Sequence, residues 1–200
     1  NVLSTINPCG KTDPAIFREI IRRHLNRDMS DEDLARAKEG YLRHLKEEMG
    51  NAADARTLPG VEAFLDFLQN RDDALFGLGT GNLEEGARVK LGPMNLNRYF
   101  DFGGFGSDSE DRPSLLMVAH RRGQRKAGKP VPANRVFVIG DTVLDIQAAR
   151  RAGFRSIAVA SGSVPYQALQ AARPDFLIRD MTTASDLIAR EQTAAPRFGT

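Results

Sequence analysis

Asp141 and Asp145 stand four residues apart in the stretch Arg135-Val-Phe-Val-Ile-Gly-Asp-Thr-Val-Leu-Asp145. Two carboxylates this close repel each other unless a cation lies between or beside them. Oxygen ligands in a small cluster suit Mg²⁺, above all when a phosphate supplies further oxygens. A second group is Thr80-Gly81-Asn82, which follows Leu78-Gly79. A hydroxyl and backbone N–H groups at a helix start form an anion site, and the glycines let the backbone come close to a phosphate. A third is Arg112, just ahead of Pro113. Its guanidinium suits phosphate or carboxylate. An anion cradle, a fixed cation and a metal carboxylate cluster are the parts that phosphoryl transfer needs. Each part also has a plainer reading. Asp141 could only cap a helix, with Asp145 solvated. The glycine turn could merely connect a strand to a helix. Arg112 could pair with Glu110 or Asp111.

These residues must be positioned by regular elements. Val136 to Ile139 is an apolar, β-branched run that predicts a buried parallel strand. From Thr142 the pattern is helical, and Gly153 is placed as its C-cap. Asp141 then sits at the carboxyl end of a strand, where open parallel sheets place their ligand sites. Further strands are expected at 74–78, 102–105, 156–160 and 175–178. Helices are expected at 61–68, 83–91, 114–126, 165–172 and 182–190. Strands alternating with helices predict an α/β fold, a Rossmann-like parallel sheet covered on both faces.

The first 57 residues read differently. Asp13-Pro14 predicts an N-cap and first turn, with a helix to about Leu25. Ser30 and Asp33 have the spacing of a capping box ahead of a second amphipathic helix through Met49. Residues 1–57 therefore form a small all-helical unit, 58–190 an α/β core, and 191–200 a tail.

Composition narrows the classes. The 200 residues are 41% hydrophobic and 27% charged, with 28 basic against 26 acidic residues. That balance makes no case for nucleic acid as a partner. The single cysteine, Cys9, excludes an intramolecular disulfide and predicts a reducing, cytoplasmic compartment. No apolar run approaches the ~20 residues of a membrane helix, so no membrane partner is expected. Oligomeric state is left open.

Leu78-Gly-Thr80-Gly-Asn82, a basic residue before a helix, and Val-Ile-Gly-Asp141-Thr-Val-Leu-Asp145 resemble the second, third and fourth motifs of the haloacid dehalogenase (HAD) superfamily. Arg150-Arg-Ala-Gly153-Phe matches the family's usual continuation. The resemblance covers about residues 58–190, and the opening helices look like the small cap of this family. The Gly-Asp-Thr-x-x-Asp form is similar to phosphoglycolate-phosphatase-like members, which are Mg²⁺-dependent. The resemblance implies hydrolysis of a small phosphorylated metabolite through an aspartyl-phosphate. It implies that Asp141 binds Mg²⁺, and that Asp145 holds metal-bound water or pairs with the cation. Thr80 and the N–H of Gly81 would bind phosphoryl oxygens, Arg112 would hold the nucleophile and the phosphate charge, and Asn82 would shape the loop.

Two departures follow. The family's first motif, Asp-x-Asp-x-Thr, is absent, so no nucleophile is named. The resemblance implies that a strand and the start of the cap, on the order of 25 residues, precede Asn1. The third-motif cation is Arg112 rather than the more usual lysine. Lys129, in Lys129-Pro-Val-Pro132, lies directly ahead of the central strand with no room for a helix between. A non-catalytic phosphate- and Mg²⁺-binding protein, a phosphomutase and a dehalogenase are the alternatives. The carboxylate pair argues against the last, which needs no metal.

Overall fold

Thr12 opens the first helix in the computed structural model, which describes residues 6, 8, 10–52 and 55–194. Its hydroxyl accepts from the N–H of Ala15 at 3.4 Å, and Pro14 sits in the first turn. Helix α1 (Asp13–Leu25) ends where Asn26 turns left-handed. The cap lies one residue earlier than the sequence suggests, which leaves the Asp13 carboxylate for other partners. Helix α2 (Asp31–Gly50) begins with a complete capping box. Asp33 N–H donates to Ser30 Oγ at 3.2 Å, and Ser30 N–H donates to the Asp33 carboxylate at 2.9 Å. Phe17 and Tyr41 meet edge-on at 5.6 Å and join the two helices.

The remainder alternates strand and helix. The order is α3 (Val61–Gln69), β1 (Leu78–Gly79), α4 (Glu84–Leu91), β2 (Gly103–Gly104), α5 (Arg112–Ala127) and β3 (Phe137–Gly140). Then come α6 (Val143–Ala152), β4 (Arg155–Val159), α7 (Tyr166–Ala171), β5 (Phe176–Ile178) and α8 (Ala184–Ala194). Every strand pairing is parallel. One face of β3–β5 carries α5 and α6, through Leu115, Leu116, Ala148 and Ala149. The other carries α3 and α8, through Phe64, Ile157, Ala184 and Ile188. Both faces are covered, as parallel sheets require.

The sheet departs from expectation in one respect. It is divided into β1-β2 and β3-β4-β5. Among the described residues, β1 and β3 each have a neighbour on one edge only. Strand β1 is correspondingly short: residues 74–77 are not strand, because they have no ladder partner. Helix α5 backs both pieces. Leu116 lies so close to β1 that a Cβ on Gly79 would stand 2.7 Å from its Cδ2, and the same leucine shares a cluster with Val138 of β3.

The helical unit docks on the core through α2 and α4, where Tyr41 packs over Gly86 and Lys46 pairs with Glu85 at 2.7 Å. At the other end of the chain, α8 reaches Ala194, past the tail boundary expected at 191. Cys9 and residues 195–200 lie outside the described residues. No helix among the described residues is long and apolar enough to cross a membrane.

Candidate active site

The strand-to-helix turn Thr80-Gly81-Asn82 is shaped by the residues just ahead of α1. A Cβ on Gly81 would stand 2.7 Å from the Lys11 carbonyl oxygen and 2.9 Å from the Thr12 Cα, so only glycine fits there. Asp13, 6% exposed, accepts from Asn82 Nδ2 at 3.0 Å and from Leu83 N–H at 2.8 Å. Its own N–H donates to the Gly81 carbonyl at 2.7 Å. Within the turn, Thr80 Oγ1 accepts from the N–H of Asn82 at 3.2 Å. Several N–H groups at this helix start are therefore satisfied internally. No described group accepts the N–H of Gly81.

Arg112 is the first residue of α5, after Asp111, whose carboxylate caps the helix by accepting from Ser114 N–H at 3.1 Å. A cation at a helix N-terminus opposes the helix dipole by about 0.3–1 kcal/mol. A carboxylate partner offsets this. Arg112 Nη2 donates to Asp145 Oδ1, and Nη1 donates to the Gly10 carbonyl at 3.3 Å. Glu110 does not pair with Arg112; it accepts instead from Arg18 Nε at 3.2 Å and Nη2 at 2.7 Å. Lys129 is exposed and lies beyond the far end of α5, a helix of 16 residues and about 24 Å.

Asp145 is 8% exposed and has its oxygens occupied. Besides Arg112, it accepts from the Thr142 N–H at 3.1 Å and the Thr142 hydroxyl at 2.7 Å, completing the capping box of α6. Of the two roles expected for Asp145, pairing with the cation is the one this geometry fills. Asp141 is exposed at the end of β3, packed against Gly162, where any Cβ would collide with its carboxylate. No described residue hydrogen-bonds or ion-pairs with the Asp141 side chain. As a Mg²⁺ site the donor set fits in part. Asp141 offers an unoccupied carboxylate, while among the described residues no group of three or more His, Cys, Asp or Glu could hold a metal.

Thr80, Gly81, Asn82 and Arg112 line one cavity of about 300 Å³, together with Lys11, Asp13 and Lys90. Asp141 and Asp145 are not in its lining. Asp145 reaches it only through Arg112. Lys11, Asp13 and Lys90 had no signal in the sequence. Asp13 looks like an ordinary cap and meets Asn82 across 69 positions. Beside Lys90, Tyr41 presents a buried hydroxyl without a hydrogen-bond partner among the described residues. Burial, and then the nearby Asp13 carboxylate, push this phenol well above its ordinary value.

The sequence profile of a family described as HAD-hydrolase-like matches residues 112–184. A phosphoglycolate phosphatase of Synechococcus elongatus is 30% identical over 149 residues, covering 74% of this chain and 65% of the relative. A phosphoglycolate phosphatase of Pseudomonas savastanoi pv. phaseolicola is 26% identical over 176 residues, covering 86% of this chain and 61% of the relative. The chain thus spans less than two thirds of the length of the curated relatives it matches. In fold, the chain is similar to a crystal structure of a hydrolase from Pseudomonas syringae. The TM-score is 0.64 over 94% of this chain and 81% of that one, at 21% identity.

Proposed function

We propose, from the premise that this chain belongs to the haloacid dehalogenase superfamily, that its site serves Mg²⁺-dependent hydrolysis of small phosphate monoesters. The observation that carries the reading is the cavity in which the Thr80-Gly81 turn and Arg112 meet, with Arg112 tied to Asp145 behind β3. Thr80 and the Gly81 N–H would hold phosphoryl oxygens. Arg112 would supply a fixed positive charge, worth most where water is excluded. Asp141 would be one ligand of Mg²⁺, which when bound neutralises charge on the phosphoryl oxygens. The names of the relatives add phosphoglycolate to the candidate substrates, and the lone cysteine fits a cytoplasmic setting.

The nucleophile is assigned to a strand seated between β1 and β3. Among the described residues each has one unpaired edge, one helix backs both, and Ile139 on β3 is 37% exposed. A carboxylate there would attack phosphorus, the ester P–O bond would break, and water would then hydrolyse the aspartyl-phosphate. Without that strand the 200 residues would bind phosphate but not turn it over, which is the second reading.

The test is p-nitrophenyl phosphate hydrolysis by the chain alone and by the chain extended at its N-terminus with an apolar strand ending in Asp-x-Asp-x-Thr. Mg²⁺-dependent turnover in the extended protein only is the expected result. Turnover by the chain alone, well above a Thr80→Val, Asp141→Asn double variant, overturns the assignment of the nucleophile.

A further inference from the structure

Three cationic side chains line the cavity, and two of them are already neutralised. Lys11 pairs with Glu19 and Arg112 pairs with Asp145. The one carboxylate in the lining, Asp13, spends its oxygens on Asn82 and Leu83. Lys90 has no carboxylate partner among the described residues, and its ammonium lies 6.0 Å from the centre of the Tyr41 ring. An unpaired ammonium in a partly enclosed site favours an anion.

Its position sets a distance. Lys90 is on α4, the helix that starts beside the Thr80-Gly81 turn. Seven residues of helix span about 10 Å, and helical side chains lean back toward the N-terminus. The Lys90 side chain therefore leans back toward the turn, with its ammonium beside the Tyr41 ring of α2. A cavity of about 300 Å³ is at the small end of ligand sites.

Resting on the phosphate-site reading above, we infer that Lys90 is a specificity-determining residue that binds a second anionic group of the substrate, a few bonds from the phosphoryl group. The substrate class is a small phosphate ester bearing a carboxylate, or a compound bearing two phosphates. A neutral phosphate ester of equal size leaves Lys90 without a partner.

The experiment is equilibrium binding of inorganic phosphate, 2-phosphoglycolate, pyrophosphate and glycerol 3-phosphate to the 200-residue chain in metal-free buffer. The expected result is binding of 2-phosphoglycolate or pyrophosphate at least about tenfold tighter than glycerol 3-phosphate, since a charge-assisted contact is worth roughly that factor. Which of the two binds tighter identifies the second group as carboxylate or phosphate. Lys90→Met closes the gap, and Lys90→Arg keeps it, which separates charge recognition from a packing defect. A gap absent from the wild-type chain, or one that survives in Lys90→Met, overturns the inference while phosphate binding stands. Failure of inorganic phosphate to bind at all overturns the phosphate-site reading, and the inference with it.

Discussion

Asp13 and Asn82 are hydrogen-bonded at 3.0 Å, the carboxylate accepting from the amide. This bond ties the first turn of α1 to the loop that would hold phosphate. The neighbouring bonds, from Leu83 N–H to Asp13 and from Asp13 N–H to Gly81, make the contact three-fold. A side chain of the opening helical unit is thus part of what holds this loop.

Asp13→Ala should destabilise the chain by about 1–3 kcal/mol, because it leaves the Asn82 amide and the buried Leu83 N–H without a partner. It should also weaken inorganic phosphate binding, as Thr80→Val should. Urea denaturation gives the first quantity and calorimetry the second. Unchanged values for both would show that the loop holds its shape alone.

Arg112→Ala should cost about 1–3 kcal/mol in stability and lower phosphate affinity roughly tenfold or more. The loss leaves Asp145 buried beside Thr142 with its main counter-charge gone. Lys129→Ala should change neither by more than about 0.5 kcal/mol, since its charge is exposed. Measured side by side, a larger effect at Lys129 would reassign the third-motif cation.

Asp141→Asn in the N-terminally extended protein should lower turnover and raise the Mg²⁺ concentration for half-maximal rate. Excess Mg²⁺ should restore part of the loss. The motive is a carboxylate at a strand end with no described partner. A Mg²⁺ titration that superposes on the wild type would leave Asp141 without a metal role.

Asp175 provides a pH test remote from the site. Partial desolvation of this otherwise exposed residue raises its pKa, but hydrogen bonds from Ser156 N–H and hydroxyl, both 2.8 Å, outweigh this and hold the carboxyl below its usual value. A depressed folded-state value adds stability above the unfolded pKa, about 3.9, and that stability is lost as pH falls through the folded value. Asp175→Ala should therefore cost about 1–3 kcal/mol at pH 7, and the difference from wild type should shrink below about pH 4. Denaturation curves at pH 7, 5 and 3 check the trend, and a gap that widens on acidification would contradict it.

The sequence by itself determined the local elements. The apolar run before Gly140-Asp141, the helical pattern from Thr142 and Gly153 are signals read over a few residues, and each lands within one or two residues of its expected place. Backbone sterics and capping act at short range, so a single pass along the chain exposes them. Tertiary structure alone decided what those elements bring together. Nothing in the spacing joins Asp13 to Asn82 or Arg112 to Asp145, or puts Lys90 in contact with the Tyr41 ring. Those contacts arise because parallel strands gather their carboxyl ends on one edge, where the start of α1 also lies. The division of the sheet was likewise invisible, because strand pairing depends on which segment supplies the neighbouring edge, and no local pattern in β1 or β3 specifies that partner.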